Sequence, residues 1–322
     1  MPDHHAAGEG GIFILGLQRS GTTWIANLLA GSGAIAAITA GDHRGVHESI
    51  FFSHFATAFG PLSDPGARHA FRAAFLNSDY YILSGLDDAF LDQVLVSARD
   101  HADVFEAVMS ETAKQRGRHH WLEKSPHHTR MAEDLATRFP KARFVGITRG
   151  SRTLTASRLA AYGRVPATGV ARMKDIVRGA IANALTSRRL RRFAGTCDRV
   201  LLLRYEDALD DPKSTRAALV RFLDLNIDPD TLVSDFTPNT SHAGGHGTRR
   251  LSSLDRGAIV AGDALGAILP MRILQAVEDR RRSRRGVDWP DWVWRRSGWS
   301  PAAVAITTPS GPTGAERAGR MR

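Results

Sequence analysis

The chain has 322 residues, 43% apolar and 24% charged, with 30 Gly and 14 Pro spread without period; this mix excludes wholesale disorder and collagen-like structure and leaves ample chain for a buried core. Its single cysteine, Cys197, excludes an intramolecular disulfide and a multi-cysteine zinc site, and no apolar run approaches the roughly 20 residues that cross a bilayer. Lys and Arg outnumber Asp and Glu by 43 to 33, and the net charge of +10 points to an anionic partner: nucleic acid, anionic lipid or a small phosphorylated ligand.

Residues 1–10 are a polar tail without the basic start and apolar stretch of a signal peptide, so a soluble, cytoplasmic protein is expected. Ile12–Leu15 is a continuous apolar run, the pattern of a strand buried on both faces. Gly16-Leu17-Gln18-Arg19-Ser20-Gly21-Thr22-Thr23-Trp24 follows, and Ile25–Leu29 continues as a helix. A strand, a glycine-bounded loop and a helix aim backbone N–H groups and the positive end of a helix dipole at an anion. In the loop of nucleoside triphosphatases, GxxxxGK[ST], a lysine follows the second glycine. Here Thr22 takes that place and the cation lies inside the loop as Arg19, whose planar fork of donors suits the end of a bound phosphate.

His47-Glu48-Ser49-Ile50-Phe51-Phe52 comes next, and Phe51–Phe90 holds nine of the 24 aromatic residues. That density fits either an aromatic wall of a pocket or the core of a helical insertion over 42–98. Asp103–Gln115 places Phe105, Val108, Met109 and Thr112 on one helical stripe. His120–Leu122 reads as a strand, Lys124 lies at the turn after it, and Ser125 with Pro126 opens a helix to Arg138. The histidine pairs 119/120 and 127/128 read as solvated or lid groups rather than metal ligands, since no carboxylate completes a ligand set. Ala142–Ile147 is a third strand; Arg149 leaves its C-terminal end, where α/β sheets bind ligands, and Ser157 follows eight residues later in the next helix. Cys197 reads as structural. Val200–Leu203 is a fourth strand leading to Tyr205, and Pro212 opens a helix carrying Leu219, Phe222 and Leu223. Arg280–Arg285 reads as a solvated helix end, and 300–322, rich in Pro, Gly and Thr, as a disordered tail. Strands alternating with helices argue for an α/β fold, a central parallel sheet flanked by helices, forming one domain over 11–299.

Gln18–Thr23 resembles the 5′-phosphosulfate loop, PRSGTT or PKSGTT, of the sulfotransferases that use 3′-phosphoadenosine-5′-phosphosulfate (PAPS), with Gln18 where proline is usual. Arg149 with Ser157 is similar to that family's 3′-phosphate motif, although Gly150-Ser151 replaces the common Asp-Pro. Glu123-Lys124-Ser125-Pro126 resembles its EKTP or DKTP element, and Leu203–Leu209 with Asp210–Lys213 its RYEDL…DP segment. The resemblance implies a P-loop NTPase-like sulfotransferase fold with an inserted helical acceptor lid, in its bacterial or tyrosylprotein-type branch. It implies PAPS as sulfuryl donor, adenosine 3′,5′-bisphosphate (PAP) as product and no metal.

By the same resemblance, Arg19, Ser20, Gly21, Thr22 and Thr23 hold the 5′ end, Arg149 and Ser157 hold the 3′-phosphate, and Arg19 and Lys124 are cations at the transferred group. Trp24 and Tyr205 either contact adenine or pack in the core. Glu48 is the favoured base for the acceptor hydroxyl, provided burial raises its pKa toward neutrality, and His47 is its competitor. The Gly244–Arg250 stretch is a candidate loop over the nucleotide. The acceptor is a hydroxyl on a small molecule, glycan or natural product. Two other readings compete: a nucleotide-dependent kinase, which should carry the loop lysine, and a noncatalytic anion- or nucleic-acid-binding protein. The second leaves the ordered series Arg19, Lys124, Arg149, Ser157 unexplained, and no nucleic-acid-binding motif accompanies the charge.

Overall fold

The computed structural model describes residues 10–43, 45–161, 168–234, 250–285 and 287–300. In chain order these form β1 (Gly10–Gly16), α1 (Thr22–Gly31), β2 (Ile35–Ala37) and a small hairpin of β3 (Thr39–Ala40) and β4 (Gly45–Val46). A π-helical turn, Phe51–Phe55, runs into α2 (Ala56–Ala58), followed by α3 (Pro65–Leu76), α4 (Asp79–Ser84), α5 (Asp88–Ser97) and α6 (His101–Gln115). Then come β5 (His120–Lys124), a 3-10 turn (Pro126–Met131), α7 (Ala132–Arg138), β6 (Arg143–Thr148), α8 (Ser151–Ala161) and α9 (Gly169–Thr196). The remainder is β7 (Val200–Arg204), α10 (Tyr205–Asp210), α11 (Pro212–Leu223), α12 (Ser253–Ile268) and α13 (Met271–Arg285). No single described helix is long and apolar enough to cross a membrane.

Five strands make one parallel sheet in the order β2-β5-β1-β6-β7. Its central strand shows why the apolar runs are continuous. Phe13 and Leu15 face a core shared with α6, α9 and the helical insertion, while Ile12 and Ile14 face a second core built from α1, α10 and α11. Both faces are covered, so every second residue is apolar twice over. With helices outside and all strand C-termini at one edge, the loops after β1, β5, β6 and β7 open at the same end.

Four of the five sheet strands match the expected apolar runs. β2 was not expected: three residues are too few to carry a periodic signal. β5 extends two residues beyond its apolar run, so Lys124 is the last strand residue rather than part of a turn. The helix expected from Ser125 to Arg138 is a 3-10 turn followed by the short α7, and Ser125 does not cap it. Its hydroxyl is engaged elsewhere, donating to Glu123 and accepting from the Ile50 amide at 3.0 Å.

Residues 42–98, the candidate insertion, are mainly helical. Eight of its nine aromatic residues, Phe51, Phe52, Phe55, Phe59, Phe71, Phe75, Tyr80 and Tyr81, are buried in its own core, and that core is continuous with the sheet through Phe13 and Phe105. They pack the insertion rather than line a pocket. Residues 287–300 strap it down: the Asp79 amide donates to the Val293 carbonyl at 2.7 Å, Trp294 Nε1 donates to Ala74 O at 2.9 Å, and Arg296 pairs with Asp79 and Asp42.

On the other flank α12 lies against α9. Gly262 permits the approach, because a Cβ there would come within 2.7 Å of the Val177 carbonyl. Arg172 grips Asp255 with two hydrogen bonds of 2.8 and 2.9 Å, and Asp255 also completes a capping box with Ser252. Arg280–Arg285 ends α13, as expected. The terminal tails, apart from Gly10 and Ser300, and 244–249 lie outside the described residues.

Candidate functional site

The loop after β1 enters α1 through two left-handed residues, Arg19 at φ 74° and Gly21 at φ 107°. Gly21 is required twice over: its φ suits glycine, and a Cβ would stand 2.4 Å from the Tyr205 ring. Being the N-cap, Gly21 offers no side chain to the first amides of α1, and the first turn has no acidic residue. Ser20 Oγ is buried with no hydrogen-bond partner among the described residues. An uncapped helix N-terminus beside an unsatisfied buried hydroxyl is a seat for an anion. Thr129 anchors the base of the loop, accepting from the Gly16 amide at 2.8 Å and donating to the Gly16 carbonyl at 3.0 Å.

Arg149 and Ser157 converge on this loop. Arg19 donates through Nε and Nη2 to Ser157 Oγ at 3.3 and 3.2 Å, across 138 residues of sequence. Arg149 Nη1 donates to the Arg19 carbonyl at 2.8 Å, and its guanidinium lies 3.9 Å from the centre of the Tyr205 ring. Glu206 Oε1 accepts from the Gly150 amide at 3.0 Å and from Thr153 at 2.6 Å, while Thr153 accepts from Arg149 Nε at 3.3 Å. Behind the turn, Asn183 of α9 donates to Arg149 O at 2.8 Å and to Ser151 Oγ at 3.0 Å, and Ser151 donates to Asp263 of α12 at 2.6 Å. Tyr205 is 3% exposed and begins α10 rather than ending β7, with Trp24 edge-on to it at 5.9 Å. It packs beneath the loop.

On the other side of the loop, sheet order places β5, and Lys124 at its end is 3% exposed. Lys124 Nζ donates to Glu48 Oε1 at 2.9 Å. Glu48 reaches this position because Asn27 of α1 accepts the Val46 amide at 2.9 Å and the His47 amide donates to Ile38 O at 2.8 Å. Burial pushes the Glu48 pKa up, but the Lys124 charge and hydrogen bond outweigh it and hold the carboxyl below the ordinary glutamate value of 4.5. The expected rise toward neutrality therefore does not occur. His47 is 1% exposed, with Nδ1 3.0 Å from the Glu48 carbonyl and its ring edge-on to Trp292 at 5.0 Å. It also packs against Tyr80 at 6.1 Å.

The structure thus joins Arg19, Ser20, Gly21, Ser157 and Arg149 in one cluster, with Thr22 and Thr23 as the first turn of α1 beside it, and joins Lys124 with Glu48 in another. Several contributors were given no role at the site from sequence: Thr129, Asn183, Glu206, Asp263 and the buried pair Glu123–His128. Glu206 and Glu123 lie in segments that resemble family motifs and His128 in a pair read as solvated; Thr129, Asn183 and Asp263 reach the site across long sequence separations and left no local signal. His128, expected in solvent or a lid, is wholly buried, because its ring is needed by Glu123.

A sequence model described as Sulfotransferase family matches residues 11–229. No curated protein matches the chain. Among solved structures, it is similar to the Sulfotransferase Domain from the Curacin Biosynthetic Pathway at 16% identity and TM-score 0.45, covering 87% of this chain and 99% of that one. It is also similar to the Sulfotransferase Domain from the Synechococcus PCC 7002 Olefin Synthase at 18% identity and TM-score 0.45, covering 84% and 98%. A sulfotransferase from Alicyclobacillus acidocaldarius shares 16% identity at TM-score 0.42, covering 87% and 97%.

Proposed function

This chain belongs to the sulfotransferase family, and from that premise we propose that it moves a sulfuryl group from PAPS to a hydroxyl of a small molecule, glycan or natural product. One observation carries the reading: Arg19, Arg149 and Ser157, distant in sequence, are hydrogen-bonded into one basic cluster at an uncapped helix N-terminus. A nucleotide with anions on both its 5′ and 3′ sides matches that arrangement. The residues fit the donor, since the unsatisfied Ser20 hydroxyl and the open N-terminus of α1 both favour a charged oxygen.

When bound, PAPS supplies a sulfuryl group on a phosphate leaving group. Residues 19–23 hold its 5′ side; Arg149 and Ser157 hold its 3′-phosphate. Arg19 and Lys124 flank the reacting oxygens, where fixed cations in a partly buried site lower the barrier by electrostatics. Glu48 takes the acceptor proton. Its Oε1 is engaged by Lys124, so Oε2 is the oxygen that receives it, and the lowered pKa keeps the carboxylate ionised at neutral pH. Trp24, half-buried at the loop, is left for adenine, while Tyr205 supports Arg149 from below.

The experiment is a thermal-shift comparison of PAP with ATP and Mg²⁺. A ligand at about 100 times its Kd adds about 2.7 kcal/mol to the folded state. PAP is expected to raise the melting temperature and ATP to do so weakly; the reverse order would overturn the donor assignment.

A further inference from the structure

Glu123 is wholly buried at the end of β5, one residue before Lys124. Three donors converge on it. Ser49 Oγ at 2.7 Å and Ser125 Oγ both donate to Oε1, and His128 Nδ1 lies 2.9 Å from Oε2. His128 Nε2 accepts the Phe52 amide at 3.1 Å, which places the ring proton on Nδ1, facing the carboxylate. Ser125 also accepts the Ile50 amide at 3.0 Å.

The three residues gripped this way, Ser49, Ile50 and Phe52, immediately follow Glu48. The grip is applied across 74 to 76 residues of sequence, from the end of the strand that carries Lys124 and the 3-10 turn after it. It holds an awkward backbone: Ile50 sits at φ 44°, in the left-handed region that costs a β-branched residue about 1–3 kcal/mol. A buried carboxylate also costs more than apolar side chains of the same volume, and here Phe13 stands beside Glu123 in the sheet register with Phe52 edge-on to His128. Apolar packing alone would close this space, but it would not fix three amide and hydroxyl groups at set angles.

We propose that Glu123 and His128 are positioning residues, which lock segment 49–52 to the end of β5 so that Glu48 stands against Lys124. Glu123 also sets a fixed negative charge beside that ion pair, close enough to oppose the ionisation of Glu48; the other ionisable groups facing Glu48 are Lys124 and His127. The proposal rests on Glu48 as the base.

The test uses the full chain with Glu123→Gln, His128→Asn and Ser49→Ala, reading kcat, the nucleotide KM, PAP affinity by calorimetry, and the downfield proton resonance of the His128 Nδ1–H. Glu123→Gln is expected to lower kcat about 10–100-fold, the scale of a misplaced reacting group, to leave PAP affinity within about twofold, and to remove the downfield resonance. His128→Asn keeps a donor toward Glu123 and should retain more turnover than His128→Ala. Wild-type kcat in Glu123→Gln would overturn the proposal, and so would a parallel loss of kcat and PAP affinity, which marks a merely structural role. Should Glu123→Gln fail to fold, Ser49→Ala decides: lowered kcat at unchanged PAP affinity supports positioning, and unchanged kcat overturns it. Glu48→Gln, run alongside, separates the two failures. Full turnover there removes the base reading and the positioning with it; low turnover there with full turnover in Glu123→Gln removes the positioning alone.

Discussion

The two sides of the β1 loop are built differently. On the β6 side, Arg149 contacts a backbone carbonyl, a hydroxyl and an aromatic face; Glu206 stands one hydrogen bond behind that hydroxyl, and Asp263 holds Ser151 behind the turn. On the β5 side, Lys124 and Glu48 meet as an ion pair, and Glu123 is hydrogen-bonded by the His128 ring and two serine hydroxyls. The first arrangement holds two guanidinium groups together at an uncapped helix N-terminus, which suits the multiply charged anion proposed for it. The second sets Glu48 directly against the Lys124 ammonium, as suits the proton transfer proposed for Glu48. On the proposed function, 3′-phosphate binding and proton transfer fall on opposite sides of the β1 loop.

Four substitutions break or sharpen that contrast. The largest effect belongs to Glu48→Gln: turnover should fall about 10²–10⁴-fold, the usual worth of a positioned base, with PAP affinity by calorimetry nearly unchanged. Lys124→Ala should cost about 10²–10³-fold in kcat, and its pH profile is the sharper readout. Because the Glu48 pKa is depressed in the folded chain, wild-type turnover should hold as pH falls to about 5 and decline only below the glutamate value of 4.5. Without the Lys124 cation, burial remains as the main influence, and the acid limb should move up. An unmoved limb would detach Glu48 from the rate.

On the binding side, Arg149→Ala should weaken PAP about 10–100-fold, matching charged hydrogen bonds of about 1.5–3 kcal/mol, and adenosine 5′-phosphosulfate far less. Equal losses for both ligands would displace the 3′-phosphate from Arg149. The smallest effect is Asp263→Ala, which frees Ser151 behind the Arg149 turn. A several-fold loss of PAP affinity, about 1 kcal/mol, with kcat unchanged would place α12 in service of the binding side.

Legibility followed sequence distance. The loop from Gly16 to Trp24 was readable because strand, turn and helix are contiguous, and its anion preference is a property of local backbone geometry. Arg149 and Ser157 were readable for the same reason, one leaving a strand end and the other eight residues on in the following helix. Ser125 was misread as a cap: the local rule was sound, but Glu123 and the Ile50 amide compete for the same hydroxyl. The aromatic density of the insertion could not distinguish pocket from core, since both use the same residue types; packing assigned eight of the nine to the core. The 287–300 strap and the α9–α12 pairing gave no signal, because each buries one face against a partner more than 70 residues away.

What the amino-acid order determined alone was the alternation of strand and helix, the anion loop, and which cations stand at strand ends, all of them consequences of local backbone preference and hydrophobic period. Folding decided the surroundings: the Glu48 pKa is held low rather than raised, and the His128 ring is enclosed rather than solvated. The reason is that a side chain's proton affinity depends on the sum of burial and nearby charge. The Lys124 ammonium that settles the sum for Glu48 lies 76 residues away along the chain and 2.9 Å away in space.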